Sequence, residues 1–329
     1  MKIKLNVGGN RPYNCISKRE EEIFVGVRYT MVRITKTRKD SKEYYILAYN
    51  IRKGTKVQRK EKYLGVTIPK NIETIKEQFK HDLFEEMYGT ELEAIHQQYI
   101  SMKEHAPSIG IEKHNKDFAI KFTYDSNRIE GGSLTKNETR VLILHDQAPQ
   151  KPLKDILETR THYELLKHIR TYNGEIGLNV VLNWHHRLLK DTQKNIAGRI
   201  RDRGVKITGS DFEPPSPVEL QPLLDDLFQW YGEKEKTYNP VEIAMLVHYK
   251  FVKIHPFMDG NGRISRLLMN FILHKHEYPM YNTLNQERFG YYKALNKADK
   301  KEDPYALARY LTKKYIKAQR KTLDKYSID

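Results

Sequence analysis

The sequence predicts a mainly α-helical protein preceded by a small, antiparallel, β-rich N-terminal module. Extended segments are confined to residues 23–65, apolar residues recur at helical spacing from Ile72 onward, and a glycine-containing turn joins two apolar helices near residue 260. The chain has 329 residues, of which 39% are hydrophobic and 30% charged. This composition is typical of a globular protein of about two domains, and it excludes a disordered chain or a small disulfide scaffold.

The N-terminal module is predicted as a three-stranded meander. Its strands are the segments FVGVRYTMVRI, EYYILAYNI and KVQRKEKYL, and the polar turns TRKDSK and RKGT separate them. Residues 1–70 hold 18 basic and 6 acidic side chains, whereas residues 71–329 are nearly balanced. We assign residues 1–66 to this basic module. A solvated charged face and a nucleic-acid-binding surface both remain open for it.

Helices are predicted from about residue 67 to the C-terminus. Ile72, Ile75 and Phe79 begin a helical stripe after the module. Further along the chain, two helix starts carry capping sequences: Thr135 with Glu138, and Asn239 followed by Pro240. The second of these helices must stop near Pro256, and another helix follows the turn at residues 259–262.

The chain shows no sign of membrane insertion or export. No apolar run approaches the roughly 18 to 20 residues that cross a bilayer, and the N-terminus lacks the apolar region of a signal peptide. Cys15 is the single cysteine, which excludes an intramolecular disulfide. We therefore expect a cytoplasmic protein without a membrane partner.

The chemistry is concentrated in the run HPFMDGNGRISR, residues 255–266. A glycine-containing turn that leads into a helix presents backbone N–H groups and the positive end of the helix dipole, which bind phosphate oxygens. Arg263 and Arg266 can reach the same anion, Asp259 is an oxygen ligand suited to Mg²⁺, and His255 can accept a proton near neutral pH. The run predicts a phosphate site with a metal ligand and a base.

The same run resembles the Fic family, because it matches the signature H-P-F-x-D-G-N-G-R-x-x-R at all nine specified positions. The resemblance covers roughly residues 120–312 and implies a helical Fic core at residues 176–312, followed by a basic C-terminal helix at residues 313–329. It implies transfer of AMP from ATP to a Ser, Thr or Tyr hydroxyl of a protein, the chain itself included, with Mg²⁺. The implied roles are catalytic base for His255, metal ligand for Asp259, and nucleotide binding for Gly260, Asn261, Gly262, Arg263 and Arg266.

Two further segments resemble parts of this family. AGRIRDRGVKITG resembles a β-hairpin flap, whose residues Val205, Lys206, Ile207 and Thr208 would pair with the backbone of the target as an added strand. A surface turn remains the alternative. YYKALNKAD resembles the segment that contacts the base, so that Tyr291 and Tyr292 would line the base pocket, although helical core aromatics are an equal alternative. Asp299 stands where such proteins often carry Asn.

The segment TYDSNRIEGG matches the family's inhibitory motif, [ST]-x-x-x-E-[GN], at Ser126, Glu130 and Gly131. We place it in the helical region of residues 67–175. The resemblance implies that the Glu130 carboxylate pairs with Arg266 and blocks the grip on the γ-phosphate of ATP. Three functions stay open: an autoinhibited adenylyltransferase, a deAMPylase in which Glu130 activates water, and a nucleic-acid-binding regulator with a silent core. The resemblance alone suggests a homodimer.

His185 and His186 are a second candidate for chemistry in the sequence. Because they are adjacent, they face different sides of the helix NVVLNWHHRLLK and do not have the spacing of a metal pair. We expect structural and surface roles for them.

Overall fold

The protein is described by a computed structural model, which covers residues 31–39, 41–53, 56–207 and 212–323. Two compact units divide the chain, Met1–Lys80 and His81–Asp329. The sheet of the first unit ends at Gly65, close to the expected boundary, and most of the following helix belongs to the same unit. Cys15 and the greater part of the first predicted strand lie outside the described residues.

The first unit contains an antiparallel sheet with the order β1-β2-β3, formed by β1 Arg33–Lys39, β2 Lys42–Lys53 and β3 Lys56–Gly65. The meander is therefore confirmed. Strand β1 extends into the predicted TRKDSK turn, because Lys36 pairs with Tyr45 and Thr37 with Tyr44 across the sheet. The chain reverses its direction next to Ser41, whose φ is 64°. The predicted turn was therefore too long, because its first three residues belong to β1.

Part of the basic charge of the sheet is paired with acidic neighbours. Lys36 and Arg38 lie 3.0 and 3.3 Å from the two oxygens of Glu43, and Arg59 lies 2.5 Å from Glu61. These pairs are exposed, so they contribute little to stability. Nucleic-acid binding by residues 1–66 stays a prediction.

Eleven helices follow in the part of the chain that the structure describes, and the mainly α fold is confirmed. They are α1 Ile72–Phe84, α2 Thr90–His105, α3 Ser108–Ile129, α4 Lys136–His145, α5 Leu153–Thr171, α6 Leu178–Leu189, α7 Pro217–Lys234, α8 Pro240–Ile254, α9 Asn261–Lys275, α10 Arg288–Lys300 and α11 Pro304–Leu323. A π-helical turn, Glu85–Gly89, separates α1 from α2.

Helices α8 and α9 form the centre of the second unit. Almost every residue of both is buried, which is the pattern of a helix covered on all sides. Helix α8 packs against α7, α9 and α11, while α3 and α5 pack against α9. The loop between α8 and α9 is therefore held by two helices that are packed on all sides.

The predicted helix starts are present. Thr135 and Glu138 form a reciprocal capping box at the start of α4, with Glu138 N 3.2 Å from Thr135 Oγ1. The Asn239 side chain accepts a hydrogen bond of 3.0 Å from Val241 N at the start of α8.

The predicted flap and C-terminal helix differ in detail from the structure. Residues 204–207 have no regular secondary structure, and Thr208 lies outside the described residues. Strand formation by the flap therefore stays a prediction. Helix α11 begins at Pro304 and runs across the expected boundary at residue 313. Among the helices that the structure describes, none combines the length and hydrophobicity that would let it pass through a bilayer.

Candidate active site

The run of residues 255–266 forms the loop between α8 and α9. His255 ends α8 with φ 51°, and Gly260 precedes α9 with φ 82°. Only glycine adopts the second conformation without strain. The Asn261 side chain closes the loop: its Oδ1 accepts from Phe257 N at 2.9 Å and its Nδ2 donates to Phe257 O at 2.8 Å. Asn261 therefore shapes the loop with its side chain, and nucleotide binding by Asn261 stays a prediction.

His185 supports this loop from α6, in a structural role as expected. Its ring is fully buried, stacked on Phe257 with 3.7 Å between ring centroids. Nε2 lies 3.0 Å from Asp259 O, and Nδ1 accepts from Gly198 N at 2.9 Å. Burial lowers the pKa of His185 to about 4, so that the ring is neutral and Nε2 donates. His186 is exposed.

Arg201 is a second support that the sequence reasoning did not identify. Its side chain is buried, and its Nε donates to His255 O at 2.9 Å. Two further donors of the guanidinium reach Arg203 O at 2.9 Å and Pro215 O at 2.5 Å. One side chain thus joins the loop between α8 and α9 to Arg203 and Pro215, which lie on either side of the predicted flap residues 205–208. No sequence spacing marks it among the other arginines of AGRIRDRG.

His255 has the geometry of a base. The ring is half-buried, and Nδ1 lies 3.2 Å from Val252 O. Nδ1 therefore carries the proton, and Nε2 keeps its lone pair. Burial, as the largest effect, lowers the pKa of His255 below its ordinary value. The imidazole is neutral near pH 7.

Asp259 lies among hydrogen-bond donors beside Arg263. Its Oδ1 accepts from Gly260 N at 2.6 Å and from Arg263 Nη2 at 3.2 Å, and its Oδ2 accepts from Gln193 Nε2 at 2.6 Å. Burial acts to raise the pKa of Asp259, but the Arg263 charge and these hydrogen bonds outweigh it, and the net shift is downward. The carboxylate is therefore ionised.

Glu158 of α5 is the second partner of Arg263, and the sequence reasoning did not identify it. The two side chains form a buried salt bridge between Glu158 Oε2 and Arg263 Nη1. Glu158 Oε1 accepts from Thr192 Oγ1 at 3.1 Å and from Gln193 Nε2 at 3.4 Å. Arg263 is thereby held between two carboxylates and directed along one face of the loop.

Arg266 is occupied by the predicted inhibitory motif. Its Nη2 donates to Glu130 Oε1 at 2.7 Å and to Ser126 O at 3.0 Å, and its Nε donates to Ser126 Oγ at 2.9 Å. The arginine is 1% exposed, whereas the Glu130 side chain is 33% exposed. The predicted pairing of Glu130 with Arg266 is confirmed.

The glycines around this pair are required by space or backbone conformation. Gly131 has φ 92° where the chain turns after α3. A Cβ at Gly262 would collide with the Glu130 carboxylate, and it would lie 3.3 Å from Arg266 Nη1. The Glu130 carboxylate therefore lies against the first turn of α9. The backbone N–H groups of that turn are the ones that would bind an anion.

The two predicted base-pocket tyrosines have different environments. Tyr291 is 3% exposed, with its hydroxyl 3.0 Å from His248 Nε2. Tyr292 is 43% exposed, and its hydroxyl donates to Ile129 O at 3.3 Å, next to Glu130. Tyr291 therefore lies in the core and Tyr292 is partly exposed, and base binding by either residue stays a prediction. Asp299 accepts from Tyr249 Oη at 3.1 Å.

A cavity of about 190 Å³ lies beside the loop. The charged side chains that line it include Glu130, Lys154, Glu158, Asp259 and Arg263. A larger cavity of about 610 Å³ lies against the π turn and α2, and none of the loop residues line it.

Comparison with known proteins places this loop in a family. The Fic/DOC family model matches residues 175–273, which include α6 to α8, nearly all of α9 and the complete signature up to Arg266. These residues are similar to a Fic domain. A solved Fic-domain-containing signalling protein from Bacteroides thetaiotaomicron has 26% identity and a TM-score of 0.65, covering 71% of this chain and 95% of that protein.

Curated proteins that are similar to this part of the chain are named protein adenylyltransferases. The protein from Nematostella vectensis is 34% identical over 200 residues, which are 59% of this chain and 46% of the relative. The protein fic-1 of Caenorhabditis elegans is 30% identical over 201 residues, 58% of this chain and 39% of the relative. A solved part of Fic-1, with a TM-score of 0.64 and 25% identity, covers 79% of this chain and 80% of that structure. The chain thus spans less than half the length of the curated relatives it matches.

Proposed function

We propose that this chain is an autoinhibited protein adenylyltransferase, which transfers AMP from ATP to a Ser, Thr or Tyr hydroxyl of a protein. The carrying observation is the assembly of one neutral imidazole, one ionised carboxylate and two arginines around the N-terminus of α9. This set has the base and the positive charge that phosphoryl chemistry needs. The relatives named protein adenylyltransferase Fic support the same reaction class.

In this mechanism, His255 Nε2 takes the proton of the attacking hydroxyl. The hydroxyl oxygen forms a bond to Pα of ATP while the bond from Pα to the bridging oxygen of Pβ breaks, and pyrophosphate leaves. Arg263 and the N–H groups at the start of α9 neutralise the charge that develops on the phosphate oxygens. Most of the rate comes from orientation and charge stabilisation.

Asp259 is suited to hold Mg²⁺. Mg²⁺ is commonly bound by one or two carboxylates together with substrate phosphates and water. The Asp259 carboxylate is ionised and its side chain is 39% exposed, so the donor fits. When bound, Mg²⁺ would neutralise phosphate charge and orient the leaving pyrophosphate. Gln193 and Arg263 orient the carboxylate for this role.

The proposed inhibition acts through competition for Arg266. The guanidinium forms a strong, directional pair with carboxylates and phosphates alike, so that Glu130 competes directly with a phosphate of ATP. The Glu130 carboxylate also lies against the first turn of α9. ATP bound beside it would have its Pα out of line with the hydroxyl.

Intact mass after incubation with ATP and Mg²⁺ tests the proposal. We expect the Glu130→Gly variant to add AMP to itself or to a protein of a lysate, and the wild type to add far less. His255→Ala introduced into Glu130→Gly serves as the matched control and should remove the label. A Glu130→Gly protein that labels nothing would contradict the proposal.

Removal of AMP from a modified protein is the second candidate function. The observation that favours it is the partial exposure of Glu130, whose carboxylate could accept a proton from water beside the α9 N-terminus. An AMP-modified protein separates the two functions. Glu130→Gly would lose hydrolysis if Glu130 activates water, whereas it would gain transfer if Glu130 only inhibits.

A further inference from the structure

A second cluster of chemically active side chains lies at the N-terminal end of α8. His81 is in the last turn of α1, Glu85 begins the π turn, and Glu242 is in the first turn of α8. One ligand atom from each lies within 4.8 Å of the other two. The i, i+4 spacing puts His81 and Glu85 on the same side of their helix. The cluster is about 20 Å of helix from His255, at the opposite end of α8.

The cluster is partly buried, and one of its carboxylate oxygens has no hydrogen-bond partner among the described residues. Glu242 is fully buried; its Oε1 accepts from Tyr305 Oη at 2.6 Å, and its Oε2 lies 2.7 Å from His81 Nδ1. Within the described residues, Glu85 Oε1 is buried without a hydrogen-bond partner. A buried carboxylate oxygen without a partner costs free energy and indicates a missing partner.

The cluster also lacks positive charge. Two carboxylates face one imidazole, which leaves an excess of one negative charge even when His81 is protonated. A divalent cation bound by a neutral imidazole and two carboxylates would bring the sum to zero.

We propose that His81, Glu85 and Glu242 form a zinc site, with water as the fourth ligand. Imidazole nitrogen together with carboxylate oxygen is a donor set that zinc takes in four-coordinate sites, whereas Mg²⁺ and Ca²⁺ take oxygen donors alone. Two surrounding groups orient the ligands. Tyr305 holds Glu242 Oε1, so that Oε2 is directed at the ion, and the Tyr238 ring stacks on His81 with centroids 4.2 Å apart.

The π turn allows the Glu85 carboxylate to adjust. A tetrahedral zinc ion needs ligand atoms about 3.3 Å apart, so His81 and Glu242 must separate slightly and Glu85 must approach. Gly89 lies at the end of the turn, where a Cβ would come within 2.5 Å of Glu85 Oε2. Glycine leaves this space open for the side chain. The ion would tie the end of α1 to α8 and, through Tyr305, to α11.

Zinc titration of the intact chain, freed of metal by a chelator, tests the site without any measurement of activity. We expect one zinc ion per chain in isothermal titration calorimetry and a thermal midpoint that rises with zinc. His81→Gln and Glu85→Gln should each weaken zinc binding at least about tenfold. Glu86→Gln, a change at the exposed neighbour, is the matched control and should bind as the wild type does.

Two further measurements keep the result decisive. Asp259→Ala should still bind one zinc ion, and loss of binding in this variant would assign the ion to the catalytic loop and overturn the proposal. Cobalt(II) in the wild type should show the strong visible bands of a four-coordinate site. A six-coordinate cobalt spectrum, or unchanged zinc affinity in His81→Gln and Glu85→Gln, would also overturn it. Neither outcome bears on AMP transfer.

Discussion

Glu130 and Arg266 are 136 positions apart in the chain, and Glu130 Oε1 accepts a hydrogen bond of 2.7 Å from Arg266 Nη2. The contact joins the end of α3 to the second turn of α9. Ser126 adds two hydrogen bonds to the same guanidinium, so the arginine is held by both a carboxylate and a neutral partner. Loss of Glu130 alone leaves Arg266 oriented by Ser126 and frees one N–H of Nη2, which we propose would then bind a phosphate.

Glu130→Gly is expected to raise AMP transfer by about 100-fold, since one charged donor directed at a phosphate is worth this order in rate. Glu130→Gln should give a smaller increase, because the amide keeps the shape of the side chain and lowers its competition for Arg266. Transfer of labelled AMP under single-turnover conditions measures both. Equal rates in wild type and Glu130→Gly would rule out the inhibitory role.

His255→Ala, in the Glu130→Gly background, should lower transfer by at least about 100-fold, because the hydroxyl loses its base. ATP affinity should change little, since the arginines and the α9 N-terminus remain. Equilibrium binding of ATP and the labelling rate are compared in the same preparation. His186→Ala, at an exposed histidine, is the control and should label normally.

The pH dependence of transfer follows from the lowered pKa of His255. Burial disfavours the charged imidazole, so the pKa lies below the ordinary value of 6.5 and the reactive neutral form persists to lower pH. Rates of Glu130→Gly should therefore be level above pH 7 and decline only at pH values below 6.5. A profile of log rate against pH measures this. A decline that begins above pH 7 would contradict the assignment.

Glu158→Gln should reduce transfer by about tenfold in the Glu130→Gly background, because Arg263 loses the carboxylate that directs it. The effect is expected in kcat more than in KM, as orientation of the phosphate is what changes. Steady-state kinetics with ATP give the two values. Glu164→Gln, at an exposed acid of the same helix, should leave both unchanged.

His185→Phe should keep the stacking on Phe257 and remove both hydrogen bonds of the ring. The partly buried Gly198 N–H then lacks its partner, which costs up to about 1 to 3 kcal/mol of stability. Transfer should fall as well, because the Asp259 carbonyl is no longer held. Urea unfolding and the labelling rate are measured together. A variant as stable and active as the wild type would show that His185 does not support the loop.

Much of the loop of residues 255–266 was predictable because its residues are close in sequence. Twelve consecutive positions contain the proposed base, the proposed metal ligand, the glycines and both arginines, and local rules for turns and helix starts place them at the N-terminus of a helix. Glu130 was predictable by its motif, although its partner lies on another helix. The caps at Thr135 and Asn239 were predictable for the same local reason.

The roles of single side chains were harder to predict. Asn261 fits the signature, but its amide is used on Phe257 within the loop. Tyr291 and Tyr292 are adjacent in the sequence, and only the packing of α10 decides that one is buried and the other half-exposed. Strand β1 continued through polar residues because its partner strand supplied matching side chains across the sheet.

By itself, the sequence determined the mainly α fold, the meander, the glycine-containing turn before α9 and the glutamate that pairs with Arg266. Only the tertiary structure decided which distant residues hold that loop, namely Glu158, His185, Gln193 and Arg201, and that His81, Glu85 and Glu242 meet at the other end of α8. The physical reason is the range of the interactions. Helix caps and turns depend on neighbours within a few residues, whereas burial and long-range hydrogen bonds depend on which helices pack together.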